Sequence, residues 1–247
     1  MPKLGLIGYP LKHSFSPKLF EQRFKDEDVN GYSYELFPLK HIKDINKLLK
    51  EEGDLLGFNI TAPYKQDVLP YLYEIDKDAV DVWAVNTVQV TRFKGRTLLK
   101  GYNTDYPAFK ESIQPLLRGQ HKKALVLGSG GAASAAKHAF KELGIEVTPV
   151  SRQSKFDNIT YAELDEGIML SHKIVVNCTP IGTAPSDDQC PQIPYEYLSK
   201  AHLVYDMVYN PEETLFLKNA ATRGATVKNG MEMLQLQAQK AWEIWTN

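Results

Sequence analysis

Short apolar runs bounded by glycine, proline and asparagine alternate along this chain with stretches where apolar residues return every third or fourth position. The first pattern is that of strands and the second that of helices. Residues 4–7 form a first strand that ends at Gly8-Tyr9-Pro10. Ser16 followed by Pro17 opens a helix to about residue 28, with Ser16 as N-cap and Leu19, Phe20, Phe24 and Val29 on one side. Residues 32–37 read as the next strand. Residues 41–50 read as a helix through Ile42, Ile45, Leu48 and Leu49. A third strand at 57–60 is broken by Thr61-Ala62-Pro63, and residues 69–77 read as a helix. Residues 87–91 and 97–100 form a hairpin around Lys94-Gly95. This alternation predicts an α/β domain with some antiparallel strands.

Asn103-Thr104-Asp105 opens a helix to about residue 117. Then Ala124-Leu125-Val126-Leu127 runs straight into Gly128-Ser129-Gly130-Gly131-Ala132-Ala133, and helix formers follow to Leu143. Gly144 stops that helix, and residues 145–150 read as a strand. This is a strand–turn–helix–strand unit of the length a parallel crossover needs. Gly128-x-Gly130-x-x-Ala133 fits a dinucleotide fingerprint, with the phosphates on the helix N-terminus. At the end of the second strand an NAD site carries a carboxylate for the ribose hydroxyl. Here that place holds Ser151-Arg152-Gln153-Ser154-Lys155, which suits a 2′-phosphate, and NADP(H) is the expected cofactor. Beyond it, the stretch to Glu166 is short and polar. Strands at 173–177, 203–207 and 226–227 follow, with helices at 213–223 and 231–245.

Composition narrows the function classes. The 247 residues are 43% hydrophobic and 24% charged, as in ordinary globular proteins. With 29 basic against 30 acidic side chains, neither a nucleic acid nor a membrane surface is an expected partner. The N-terminus enters a strand directly, so no signal peptide is expected and the location predicted is cytoplasmic. Two cysteines, Cys178 and Cys190, are read as thiols, and six scattered histidines give no metal-ligand spacing.

Polar residues gather where strands end: Ser14 and Ser16; Asn59, Thr61 and Lys65; Asn86; Asn103 and Asp105; Asn177 and Thr179; and Gln237 on the last helix. Each has a local role open to it, as a cap, a turn residue or a solvated position. Together they offer many neutral hydroxyls and amides with one lysine and one aspartate, which suits a small polyhydroxylated acid.

Here the chain resembles the shikimate dehydrogenase family. Gly8-Tyr9-Pro10-Leu11-Lys12-His13-Ser14-Phe15-Ser16-Pro17 is similar to the family's G-x-P-x-x-H-S-x-S-P. Gly57-Phe58-Asn59-Ile60-Thr61-Ala62-Pro63-Tyr64-Lys65, Ala84-Val85-Asn86-Thr87 and Gly101-Tyr102-Asn103-Thr104-Asp105 resemble further blocks. So do Asn177-Cys178-Thr179-Pro180-Ile181-Gly182, Asp206-Met207-Val208-Tyr209-Asn210-Pro211 and the stretch from Gly230 to Gln237. The resemblance implies two α/β lobes separated by a cleft, a substrate lobe of residues 1–104 with 232–247 and a Rossmann-like NADP lobe of 105–231. It implies reversible reduction of 3-dehydroshikimate by NADPH, with Lys65 and Asp105 as the catalytic pair. Ser14, Ser16 and Tyr209 would bind the substrate carboxylate, Thr61, Asn86, Asp105 and Gln237 its ring hydroxyls, and Asn59 would be a further substrate-binding residue. Gly128, Ser129, Gly130, Gly131 and Ala132 would cradle the pyrophosphate. Ser151 and Arg152 would take the adenosine end, and Thr179, Gly230 and Met233 the rest of the cofactor.

Tyr106, Pro107 and Ala108 follow Asp105 where the family has glycines, which bears on the start of that helix. A related quinate/shikimate dehydrogenase that tolerates NAD, and a non-catalytic sensor of the same metabolites, are the rival readings. The sensor's mark would be loss of Lys65 or Asp105, and both are present. A monomer or homodimer with a small-molecule substrate is expected.

Overall fold

A computed structural model describes residues 1–12, 14–154 and 157–246; His13 and Lys155, quoted above, lie outside the described residues. The chain clusters into two compact units, Met1–Asp105 with Gln235–Asn247, and Tyr106–Leu234. The first contains β1 (Lys3–Gly8), α1 (Ser16–Asp26), β2 (Ser33–Pro38), α2 (Ile45–Glu51), β3 (Leu55–Ile60), β4 (Glu74–Ile75), α3 (Lys77–Val82), β5 (Thr87–Phe93) and β6 (Arg96–Tyr102). Its six-stranded sheet has the order β2-β1-β3-β5-β6-β4. β1 is parallel to β2 and β3, β5 is antiparallel to both β3 and β6, and β4 is parallel to β6.

The chain goes on through α4 (Asp105–Ile113), β7 (Lys123–Leu127), α5 (Gly131–Glu142), β8 (Glu146–Ser151), β9 (Ile159–Thr160), α6 (Glu166–Ser171), β10 (Ile174–Asn177), β11 (Leu203–Asp206), α7 (Leu215–Ala221), β12 (Thr226–Lys228) and α8 (Met231–Thr246). The second unit's sheet is wholly parallel, in the order β12-β11-β10-β7-β8-β9. Strands are added outward on both sides of the β7–β10 pair. That reversal point is where open α/β sheets take their ligands, outside the carboxyl ends of the strands.

Strand alternation sorts the cores. On one face of the first sheet Leu4 and Leu6 pack with Phe20, Tyr34, Trp242 and Trp245. On the other, Ile7 packs with Phe37, Phe58 and the α2 side chains Ile45, Leu48 and Leu49. Gly57 is required by this packing: a Cβ there would lie 2.2 Å from Trp245 Nε1. That indole donates instead to the Val88 carbonyl at 3.0 Å. In the second unit Phe109 meets Phe140 and Tyr205 edge-on at 5.3 and 5.1 Å. Among the described residues no helix is long and apolar enough to cross a membrane, and no three His, Cys, Asp or Glu side chains gather as a metal site.

Three local expectations give way. Residues 69–77 are not one helix. Leu69–Tyr71 make a 3₁₀ turn at Pro70, Glu74–Ile75 pair with β6, and α3 begins only where Asp76 accepts the Asp78 N–H at 3.0 Å. Ser16 is not the N-cap of α1. Phe15 holds that place, and the Ser14 hydroxyl receives the Ser16 N–H at 3.4 Å. The helix expected over 105–117 is α4 followed by a 3₁₀ turn, Gln114–Leu116, because Pro115 has no N–H to continue it. The short stretch before residue 173 also holds a helix, α6, which the sequence pattern did not reveal. It is started by Asp165, whose carboxylate accepts the Ile168 N–H at 2.8 Å.

Candidate active site

In the first unit the antiparallel β5 starts where the parallel β3 ends, since Asn59 pairs with Thr87 and Thr87 with Tyr102. That register brings three polar segments to one edge: residues 59–65, 86–87 and 103–105. Each is anchored locally. The Thr61 N–H donates to the Ile7 carbonyl at 2.9 Å, and the Val85 N–H donates to the Lys65 carbonyl at 2.7 Å. The buried Tyr64 ties its hydroxyl to the Leu39 carbonyl at 2.8 Å, which fixes the turn that carries Lys65.

Lys65 Nζ lies 2.5 Å from Asp105 Oδ2, with the two side chains 19% and 7% exposed. The other Asp105 oxygen accepts from Asn86 Nδ2 at 2.9 Å, and Asn86 Nδ2 also donates to Thr104 Oγ1 at 2.9 Å. Asn86 Oδ1 accepts the Thr104 N–H at 2.7 Å, so one buried amide sets both the backbone and the carboxylate at the start of α4. Asn103 donates to the Ala84 carbonyl at 2.8 Å. Asn59 donates to the Asn86 carbonyl at 3.1 Å and to Thr87 Oγ1 at 3.0 Å, and accepts from the Tyr34 hydroxyl at 2.8 Å. Burial pushes the Tyr34 phenol well above its usual range, partly offset by the Ser16 hydroxyl against it.

Lys65, Asp105, Asn86 and Asn59 thus form one connected cluster, with Ser16 at its Tyr34 end. Asn59 and Asn86 are almost wholly buried and use their amide hydrogens inside the protein. Ser14, Thr61 and Gln237 lie on the same unit, partly exposed, Gln237 on α8. The sequence reading missed Tyr34, Thr87 and Thr104. Thr87 and Thr104 stand next to Asn86 and Asp105, inside the Ala84–Thr87 and Gly101–Asp105 blocks. Tyr34 offered no local signal.

In the second unit Gly128 turns the chain out of β7 with φ +120°, and a Cβ there would meet Thr179 Cγ2 at 3.2 Å. Ser129 and Gly130 are exposed, and among the described residues nothing crowds Gly130 and no side chain caps the N-terminus of α5. The uncapped amides of that first turn are ready donors for an anion. Ala133, fully buried, lets α5 sit close to the sheet. β8 ends in Ser151, half-buried, with Arg152 exposed beside it; Ser151 Oγ donates to the Gln153 carbonyl at 2.7 Å and receives Asn158 Nδ2 at 2.9 Å. Thr179 lies in the turn after β10, next to the Gly128 turn. Gly230 lies against the turn after β11, where a Cβ would stand 2.2 Å from the Met207 carbonyl oxygen. Tyr209 is in that turn, partly exposed, and Met233 is buried in α8.

Residues 6–88 match the family model described as the shikimate dehydrogenase substrate binding domain. The chain is 33% identical to a shikimate dehydrogenase (NADP(+)) of Caldicellulosiruptor saccharolyticus, over 99% of this chain and 92% of that one. It is 37% identical to one of Methanococcus aeolicus, over 98% and 91%. The chain belongs to the shikimate dehydrogenase family. Among solved structures it is similar to the Thermus thermophilus shikimate 5-dehydrogenase in complex with NADP(H) and shikimate. That likeness has a TM-score of 0.85 at 29% identity, over 100% of this chain and 94% of that one. A quinate dehydrogenase of Corynebacterium glutamicum in complex with NAD also matches, at 26% identity and TM-score 0.85, over 99% and 93%.

The residues that depart from the family's glycines after Asp105 leave α4 intact. Tyr106 is buried and meets His138 of α5 edge-on at 4.8 Å, and Ala108 and Phe109 are fully buried. An aromatic side chain thus adds packing between α4 and α5 within the second unit.

Proposed function

We propose that this chain catalyses the reversible, NADP(H)-dependent interconversion of shikimate and 3-dehydroshikimate. The observation that carries the reading is the Lys65–Asp105 pair, held at a sheet edge by Asn86 and Thr104. Reducing a carbonyl builds negative charge on its oxygen, and an ammonium within reach lowers that barrier by donating a proton as the charge develops. Lys65 is the proton donor in reduction, and the acceptor in the reverse direction. Asp105 orients the ammonium and takes a hydrogen bond from the substrate. Asn59 and Asn86, expected to contact the substrate, serve instead as positioning residues behind the pair, since their amide hydrogens are already used within the protein. Ser14 and Ser16 donate to the substrate carboxylate without adding charge near Lys65. Thr61, Gln237 and Tyr209 are further substrate contacts.

The second unit fits an NADP(H) site. An uncapped helix N-terminus follows a turn with a left-handed glycine, and the end of β8 presents Arg152 in a stretch, residues 151–156, whose sequence has no carboxylate. When bound, the nicotinamide supplies the hydride for reduction or accepts it in the reverse direction. Residues 128–132 bind the pyrophosphate, and Ser151 and Arg152 the 2′-phosphate end. Thr179, Gly230 and Met233 line the remainder.

The test is reduction of NADP⁺ by purified protein with shikimate, repeated with NAD⁺ and with quinate. Turnover confined to shikimate with NADP⁺ supports the proposal. Equal rates with NAD⁺ or quinate move the chain to the broader relative, and binding of shikimate without turnover makes it a sensor.

A further inference from the structure

Asp206 ends β11 and has no exposed surface, yet it carries a carboxylate. Three donors from three segments converge on it. Asn177 Nδ2, at the end of β10, reaches Oδ1 at 2.9 Å. The Val208 N–H reaches the same oxygen at 3.0 Å, and the Thr214 hydroxyl reaches Oδ2 at 2.6 Å. Asn177 passes the constraint on: its Oδ1 accepts both the Thr179 N–H at 3.0 Å and the Thr179 hydroxyl at 2.6 Å. Its amide also donates to the Ile181 carbonyl at 3.2 Å. Thr179 packs against the Gly128 turn, and the Gly230 N–H donates to the Val208 carbonyl at 3.1 Å. One carboxylate is therefore wired to the turns after β10 and β11, both next to the reversal point of the parallel sheet.

We propose that Asp206 is a positioning residue for the cofactor, holding Thr179 through Asn177 and the 207–211 turn through the Val208 N–H, so that both strand ends meet the dinucleotide as one rigid edge. The inference rests on the reading that this unit binds NADP(H). A carboxylate suits the role because it accepts from all three donors at once, which an amide oxygen and nitrogen cannot do. Holding it there is costly. Burial pushes its pKa up to about 6, even though the three hydrogen bonds favour the charged form. A fully apolar replacement would leave Asn177, Val208 and Thr214 with unmet donors.

The test is fluorescence titration of NADPH onto the unaltered protein and onto Asp206→Ala, Asp206→Asn and Asn177→Ala, with melting curves beside each. Asp206→Ala is expected to weaken NADPH by roughly tenfold or more, and Asn177→Ala by roughly three- to tenfold. Asp206→Asn keeps an oxygen for Asn177 and Val208 and should stay within about threefold of the unaltered protein. In Asn177→Ala the Val208 link is intact, so the shikimate KM should stay within about twofold while NADPH weakens. A lowered melting temperature with unchanged NADPH affinity in the folded variants overturns the inference, leaving Asp206 a structural residue only. If Asp206→Ala does not fold, unchanged NADPH affinity in Asn177→Ala overturns it just as well. No NADPH binding by the unaltered protein would instead bring down the functional reading, and the inference with it.

Discussion

Both units carry their proposed site groups at the ends of strands, but in the first these are buried side chains bonded to one another, and in the second backbone amides at an exposed turn. Asp105 and Asn86 are almost wholly buried, whereas Ser129, Gly130 and Arg152 lie open. The difference fits the work proposed for each edge. A proton donor is useful only within a narrow range of position, and a low-dielectric surrounding strengthens its hold on a carboxylate. Phosphates are large and charged, and the aligned amides of a helix N-terminus bind them without any side chain. The second unit has a buried cluster too, around Asp206, but it stands behind the turns and not at the edge. On the proposed roles, preorganisation is immediate in one unit and transmitted in the other.

The comparison breaks most sharply at Lys65. Lys65→Ala should lower kcat by roughly 10²–10⁴-fold while leaving NADPH affinity unchanged. A loss under tenfold in steady-state kinetics, or an equal fall in NADPH affinity, would end the division of labour. Next in size is Arg152→Ala, which removes charge-assisted hydrogen bonds to a phosphate. The KM for NADP⁺ should rise by roughly ten- to a hundredfold, with NAD⁺ kinetics unmoved. If both cofactors weaken together, Arg152 supports the loop and does not read the phosphate.

Tyr34→Phe sharpens the contrast on the first unit alone. It removes the phenol hydroxyl that Asn59 Oδ1 accepts from, so stability should drop by about 1–2 kcal/mol, seen as a lower denaturation midpoint, with NADPH affinity unaltered. The smallest effect is in the pH dependence of stability. Burial lowers the pKa of His121 and of His202, both in the second unit. The unfolded chain then takes up protons first as pH falls. Their contribution is whole above about pH 6.5 and is lost as pH drops through the lower folded values. Asp206 acts oppositely: its raised pKa contributes stability below about pH 3.9 that is gone above about pH 6. Melting curves between about pH 8 and pH 5 should therefore flatten in His202→Gln. An unchanged slope would show that His202 is equally protonated in both states.

Periodicity and glycine placement alone determined the α/β class, the strand–turn–helix unit around Gly128 and the run of polar groups at strand ends. These depend on neighbours a few positions apart, where backbone preference and side-chain direction decide the outcome. Residues 69–77 show the limit even at short range, because a two-residue strand exists there only through its partner β6. The clusters behind the chemistry were not legible. Tyr34 meets Asn59 across 25 positions, and Asn177 meets Asp206 across 29. No local rule says which strand lies beside which, or in what register. Only the folded sheets decided that Asn86 would set Asp105 against Lys65, since a hydrogen bond needs its two atoms within about 3 Å and only tertiary packing puts them there.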